Sequence, residues 1–117
     1  MSKIVPLTEV SALSERLKAE GRRISHCHGV FDLLHIGHFK HLKSAKEFGD
    51  VLIVSITADK FVKKGPGRPV FNESLRAEAL ASLESVDYVV IVEDISAIPA
   101  IESIKPSYFV KGPDYSD

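Results

Sequence analysis

The sequence predicts an α/β domain of three layers around a parallel sheet. Two observations carry that expectation. Short runs of β-branched apolar residues alternate with stretches that are apolar only at helical spacing. The segments between successive runs are also long enough for right-handed crossovers rather than hairpins.

Taken in order, residues 8–20 read as an amphipathic helix, with Val10, Leu13 and Leu17 at helical spacing and Gly21 as its stop. Residues 23–30, Arg-Ile-Ser-His-Cys-His-Gly-Val, form a short strand that enters a glycine turn. Residues 36–48 return to helical spacing through Ile36, Phe39, Leu42 and Ala45, closed by Gly49. The near-continuous apolar run over 50–57 suits a strand covered on both faces. Residues 58–71 are loop-like, with two prolines and two glycines among four cationic side chains. Asn72 is placed to cap a helix over 73–85, for which Leu75, Ala79, Leu80 and Leu83 form the expected buried face. A strand over 87–92, a short helix over 96–104 with Pro99 in its first turn, and a strand over 107–111 complete the pattern. The alternation describes a Rossmann-like sandwich, whose ligands bind outside the carboxyl ends of the strands, where strand order reverses. The turn after the first strand, residues 29–37, is expected there.

The bulk properties narrow the possible partners. The 117 residues fit one domain, and 44% hydrophobic content is enough for a packed core. A net charge of -1 argues against a broad electrostatic grip on nucleic acid or an anionic membrane. Cys27 is the single cysteine, so no disulfide forms within the chain. There is no apolar run of about 20 residues and no signal-peptide pattern at the N-terminus, so a cytoplasmic location is the expectation.

Chemistry concentrates in residues 29–38, Gly-Val-Phe-Asp-Leu-Leu-His-Ile-Gly-His. Gly29 lets backbone amides approach phosphate oxygens, and the following helix presents unpaired N–H groups and its positive dipole end. His35 and His38 are three apart, so they project from one side of the first turn, and Gly37 between them removes an obstructing side chain. A helix start that happens to hold histidines is the bland alternative. Against it, all five histidines lie within residues 26–41, and two fall at this helix mouth beside two glycines. A structural zinc site competes for His26, Cys27, His28, His35, His38 and His41. Strand alternation sets Cys27 on the opposite face from His26 and His28, and no Cys-x-x-Cys pair is present. Cys27 reads as a small buried apolar residue.

Residues 28–38, followed by Leu42, Ala45-Lys46 and Gly49-Asp50, resemble the His-x-Gly-His motif of the cytidylyltransferase-like nucleotidyltransferase superfamily. Two branches are similar: the glycerol-3-phosphate cytidylyltransferases and the heptose-1-phosphate adenylyltransferase domains. The likeness continues through residues 63–69, 76–80, Val86-Asp87 and 110–115, and is nearer the heptose type at Arg68-Pro69 and over 111–115. Class I aminoacyl-tRNA synthetases share the histidine motif, but this chain is too short for one and lacks their lysine signature.

The resemblance implies transfer of a nucleoside monophosphate from ATP or CTP to a sugar or polyol phosphate, with release of pyrophosphate and with Mg²⁺ held by the nucleotide rather than by protein ligands. It implies catalytic roles for His35, His38, Lys63 and Arg76. It places Gly29, Val30, Phe31, Asp32, Gly37, Gly112 and Asp114 at the nucleotide, and Lys63, Lys64 and Arg68 at the phosphate of the acceptor. Each cation also has a plain reading: a solvated loop for the lysines and Arg68, and a surface ion pair with Glu73 or Glu78 for Arg76. Asp59 reads equally well as a turn-former, and Lys46 suits its helix end without a ligand.

The sequence departs from the family at two places. Many relatives have threonine or serine at the position of Val30, which leaves only a backbone role there. Relatives also carry a further strand and helix with an Ile-Ser-Ser/Thr-Thr signature that this sequence does not reach. The expectation is therefore an N-terminal fragment of a longer chain, with a homodimer and a fused sugar kinase as its implied partners. A nucleotide-binding module without activity is the alternative reading.

Overall fold

The computed structural model describes residues 2–62, 69 and 71–111. Its elements are α1 (Leu7–Ala19), β1 (Ile24–Gly29), α2 (Ile36–Phe48), β2 (Val51–Thr57), α3 (Glu73–Ala81), β3 (Tyr88–Val92), α4 (Ile98–Ile104) and β4 (Tyr108–Phe109), with one 3₁₀ turn over Asp59–Phe61. The sheet is four-stranded in the order β3-β2-β1-β4, and every pairing is parallel. The chain steps outward from β1 to β2 to β3, then α4 carries it back past β1. Strand order therefore reverses beside β1, which sets the start of α2 at the switch point, as the sequence predicts.

Strand alternation sorts the core into two halves. Cys27, Leu52, Val54, Ile56 and Val89 face α2 and α3, where they meet Leu42, Ala45, Ala77 and Leu80. Ile24, Val51, Ile53, Val90 and Val92 face α1 and α4, where they meet Val10, Leu13, Leu17, Ala100 and Ile104. Burying Val10, Leu13 and Leu17 contributes about 1.5–3 kcal/mol each before chain entropy is counted. The central strand β2 is buried at all seven positions, as expected of a strand covered on both faces. Among the described residues no helix is long and apolar enough to cross a membrane.

The third helix differs from the expectation over 73–85. It ends at Ala81, and Leu83 packs on the core from the turn that follows. Leu75 and Ala79 are exposed; Arg76, Ala77 and Leu80 are the buried positions. The sequence offers two stripes, 75/79/83 and 76/77/80, and the second wins because oxygens await the Arg76 guanidinium inside. Asn72 caps the helix as expected, its side-chain oxygen accepting from the Leu75 N–H at 2.9 Å. The last strand is shorter than residues 107–111, with only Tyr108 and Phe109 in the sheet.

Candidate functional site

The turn after β1 is built around a folded-back phenylalanine. Phe31 has φ of 52°, the left-handed region that costs a non-glycine residue roughly 1–2 kcal/mol. Its ring is buried in the core between sheet and helices. A Cβ on Gly29 would stand 2.9 Å from Phe31 Cε2, so the glycine is required by this ring as well as by any ligand. Backbone strain of this kind persists only where surrounding contacts impose it.

Those contacts come largely from Arg76. Its side chain is fully buried, Nη1 donates to the Val30 carbonyl at 2.9 Å, Nε donates to the Phe71 carbonyl at 3.0 Å, and Nη2 meets Asp59 Oδ1 at 2.7 Å. Glu73 in turn accepts from the Asp59 N–H at 2.9 Å. Asp32 accepts from the Phe71 N–H at 2.9 Å, a second tie between the same two segments. Arg76 thus departs from the surface ion-pair reading. It lies beneath the turn rather than at its rim, and its ion-pair partner is Asp59 rather than Glu73 or Glu78. Three of its donor groups are aimed at protein oxygens.

At the mouth of α2, two histidines cap the helix reciprocally. His35 Nδ1 accepts from the Gly37 N–H at 3.0 Å, and His38 Nδ1 accepts from the His35 N–H at 3.2 Å. Each ring uses Nδ1 as an acceptor, so each carries its hydrogen on Nε2. The two rings lie 4.1 Å apart between centroids, and Phe31 meets His38 edge-on at 5.6 Å. Two Nε2–H donors and the positive end of the helix dipole are thereby gathered in one place, a combination suited to phosphate oxygens.

A second polar cluster lies on the other face of β1. His26 Nε2 and His28 Nδ1 each stand 2.7 Å from Ser55 Oγ, and His28 Nε2 is 3.4 Å from Thr57 Oγ1. Burial, with the neighbouring His28 as a smaller cause, pushes the His26 imidazole down to about 3. Burial also lowers His28, against the opposing pull of Asp94. The sequence singled out His26 and His28 only as metal ligands and passed over Ser55. The available signal was a run of polar residues at alternate positions, 26 and 28 on one strand and 55 and 57 on the next. Cys27 faces the opposite core half, 3.8 Å from His41 Nε2, and burial pushes its thiol up to about 12. Among the described residues no three metal-ligating side chains converge.

Lys46, read as a helix-end charge, pairs with Asp87 at 2.5 Å, and Asp87 also accepts from the Leu52 N–H. A cavity of about 390 Å³ opens beside the Phe31 turn against Phe71, Leu75 and Ala79. Among the described residues its walls are mainly apolar, and Arg76 is the one cation on it. Lys63, Lys64, Arg68, Gly112 and Asp114 lie outside the described residues.

Comparison with known proteins adds a family to this geometry. The family described as Cytidylyltransferase-like matches residues 26–117. The chain is 47% identical over 116 residues to the bifunctional protein HldE of Aliarcobacter butzleri, covering 97% of this chain and 24% of that protein. It is 49% identical over 109 residues to the HldE of Nitratiruptor sp., covering 92% and 24%. It is 43% identical over 117 residues to that of Geobacter metallireducens, covering 98% and 24%. The chain therefore spans about a quarter of the length of these relatives. In fold, it is similar to the solved structure of a lipopolysaccharide core biosynthesis protein from Thermoplasma volcanium, with a TM-score of 0.71, 23% identity, and coverage of 82% of this chain and all of the other.

Proposed function

The chain belongs to the cytidylyltransferase-like family, and from that premise we propose that it transfers a nucleoside monophosphate from ATP or CTP to a sugar or polyol phosphate. An oxygen of the acceptor phosphate attacks the α-phosphorus. A new P–O bond forms as the bond to the bridging oxygen breaks, and pyrophosphate leaves with that electron pair. The observation that carries the reading is the reciprocal cap of His35 and His38, which aims two Nε2–H donors where a triphosphate meets a helix N-terminus.

In this mechanism the His35 and His38 rings stabilise charge that grows on the phosphates. Backbone groups of Gly29, Val30 and Phe31 hold the nucleotide, and Gly37 leaves room for it. Arg76 and Asp32 position the turn instead of touching substrate. Lys63, Lys64 and Arg68 are assigned to the phosphate of the acceptor, and Gly112 and Asp114 to the nucleoside. Mg²⁺ would be held by phosphate oxygens and water; Asp59 is engaged by Arg76, and Asp32 accepts from the Phe71 N–H. The similarity to proteins named bifunctional supports a second domain in the same protein, and the sequence likeness to heptose-type enzymes supports a sugar phosphate and ATP as the substrates.

A panel of nucleoside triphosphates against sugar and polyol phosphates, followed by pyrophosphate release and by calorimetry, tests this. Release dependent on both substrates is expected. Nucleotide binding without release from any pair would instead describe a module that binds nucleotide and performs no transfer.

A further inference from the structure

The mechanism above leaves a buried polar chain unused. Polar atoms inside an apolar core cost free energy unless they are paired, and a serine bridging two histidines is a specific way to pair them. Ser55 Oγ lies 2.7 Å from His26 Nε2 and 2.7 Å from His28 Nδ1, from the middle of a fully buried strand. A hydroxyl has one hydrogen, so it donates to one ring and accepts from the other.

The direction of that chain follows from its inner end. His26 is fully buried, and its Nδ1 has no hydrogen-bond partner among the described residues. If Ser55 donated to His26 Nε2, the hydrogen of a neutral His26 would lie on Nδ1, a buried N–H with nothing to receive it. Orphaned N–H groups are rarer and costlier than under-used acceptors. The favoured arrangement has His26 Nε2–H donating to Ser55, and Ser55 O–H donating to His28 Nδ1. The hydrogen of His28 is then on Nε2. The nearest oxygen to that nitrogen, Thr57 Oγ1, is at 3.4 Å, long for a hydrogen bond, so the N–H is aligned without being consumed.

We propose that His26, Ser55 and His28 form a relay that fixes His28 as an Nε2–H donor to an oxygen of the phosphorylated acceptor. His28 then contacts substrate, and Ser55 and His26 are positioning residues that act through it. This rests on the transferase reading for its ligand, though not for its tautomer. The choice of acceptor over nucleotide follows from alternation. Gly29–Phe31 and the mouth of α2 serve the triphosphate, whereas His28 points to the other face of β1. There it meets Thr57, at the carboxyl end of β2. Half-buried His28 sits near the carboxyl end of β1, and Asp94, after β3, is the charged group that acts on it.

Two measurements on the full protein decide the matter. Imidazole ¹⁵N correlation spectra of the ligand-free protein are expected to show His28 protonated on Nε2 and bare on Nδ1 above about pH 7, where the imidazole is neutral. Ser55→Ala is expected to convert this into a mixture of tautomers. A hydrogen on Nδ1 of His28 in the unmodified protein overturns the relay, as does a Ser55→Ala spectrum identical to it. In pyrophosphate-release kinetics, His28→Ala is expected to raise the KM for the acceptor about tenfold, with the KM for the nucleotide within about twofold. His28→Gln, which keeps an N–H donor, is expected to recover most of the loss. An unchanged acceptor KM, or an equal rise in both constants, overturns the assignment to the acceptor. If the unmodified protein releases no pyrophosphate with any pair, the transferase reading fails and the acceptor contact fails with it; the spectra still decide the relay.

Discussion

Arg76 and Val30 are 46 residues apart in the chain, yet Arg76 Nη1 donates to the Val30 carbonyl at 2.9 Å from a fully buried side chain. This one contact ties α3 to the turn that presents Gly29–Phe31. It works with the Asp59 ion pair and the Phe71 carbonyl, so that a guanidinium in the core has oxygens for Nε, Nη1 and Nη2. A planar fork of donors suits this arrangement in a way that an ammonium does not.

Removing that fork leaves Asp59 and two carbonyls facing a void. Arg76→Met is expected to destabilise the fold by about 1–3 kcal/mol, because the Val30 and Phe71 carbonyls lose their donors while the partly exposed Asp59 is rehydrated. Arg76→Lys is expected to recover only part of the loss. Urea unfolding checks both. A variant that unfolds like the parent while losing turnover would instead make Arg76 a direct phosphate ligand.

For His35 the two roles differ in size. As a helix cap, its loss is worth about 1 kcal/mol of stability. As an Nε2–H donor to phosphate, its loss is expected to lower turnover by a factor on the order of 10² or more. His35→Asn keeps a capping oxygen and is expected to separate the effects: near-parental thermal stability with turnover still reduced. His38→Ala is expected to reduce turnover similarly, and near-normal turnover in both variants would remove the histidines from the mechanism.

Gly29→Ala tests the folded-back ring. The new methyl would meet Phe31 at 2.9 Å, and the ring is buried, so the turn must shift. A cost of roughly 1–3 kcal/mol is expected, with a raised KM for the nucleotide. Gly29→Ala combined with Phe31→Leu is expected to recover stability beyond the sum of the single changes, which a double-mutant cycle measures.

Buried His26 makes stability depend on pH. Its folded value is pushed down to about 3, so below the ordinary value of 6.5 the unfolded chain binds a proton that the folded chain refuses. Stability from this group is present above about pH 6.5 and is lost as pH falls from there toward about 3, at up to about 1.4 kcal/mol per pH unit. His26→Asn is expected to flatten that part of the curve when urea midpoints are compared across pH. An equal slope in parent and variant would assign the acid sensitivity elsewhere.

Much of the architecture was legible in the residues themselves. The apolar run over 50–57, the spacing of Val10, Leu13 and Leu17, and the Asn72 cap are local signals, and each predicts its element. The helix mouth was legible for the same reason, since His35, Gly37 and His38 act within one turn. Arg76 and the serine relay were not. A guanidinium is ordinarily a surface group, and nothing near position 76 in sequence tells it that Asp59, Phe71 and Val30 will converge on it.

The order of layers, the parallel sheet and the place of the turn after β1 were therefore set by the sequence alone, because period and turn chemistry are properties of neighbouring residues. Which polar side chains are buried and which oxygens the Arg76 guanidinium meets were decided only by the tertiary structure. Those outcomes depend on hydrogen-bond partners that parallel pairing brings together from strands and helices distant in the chain.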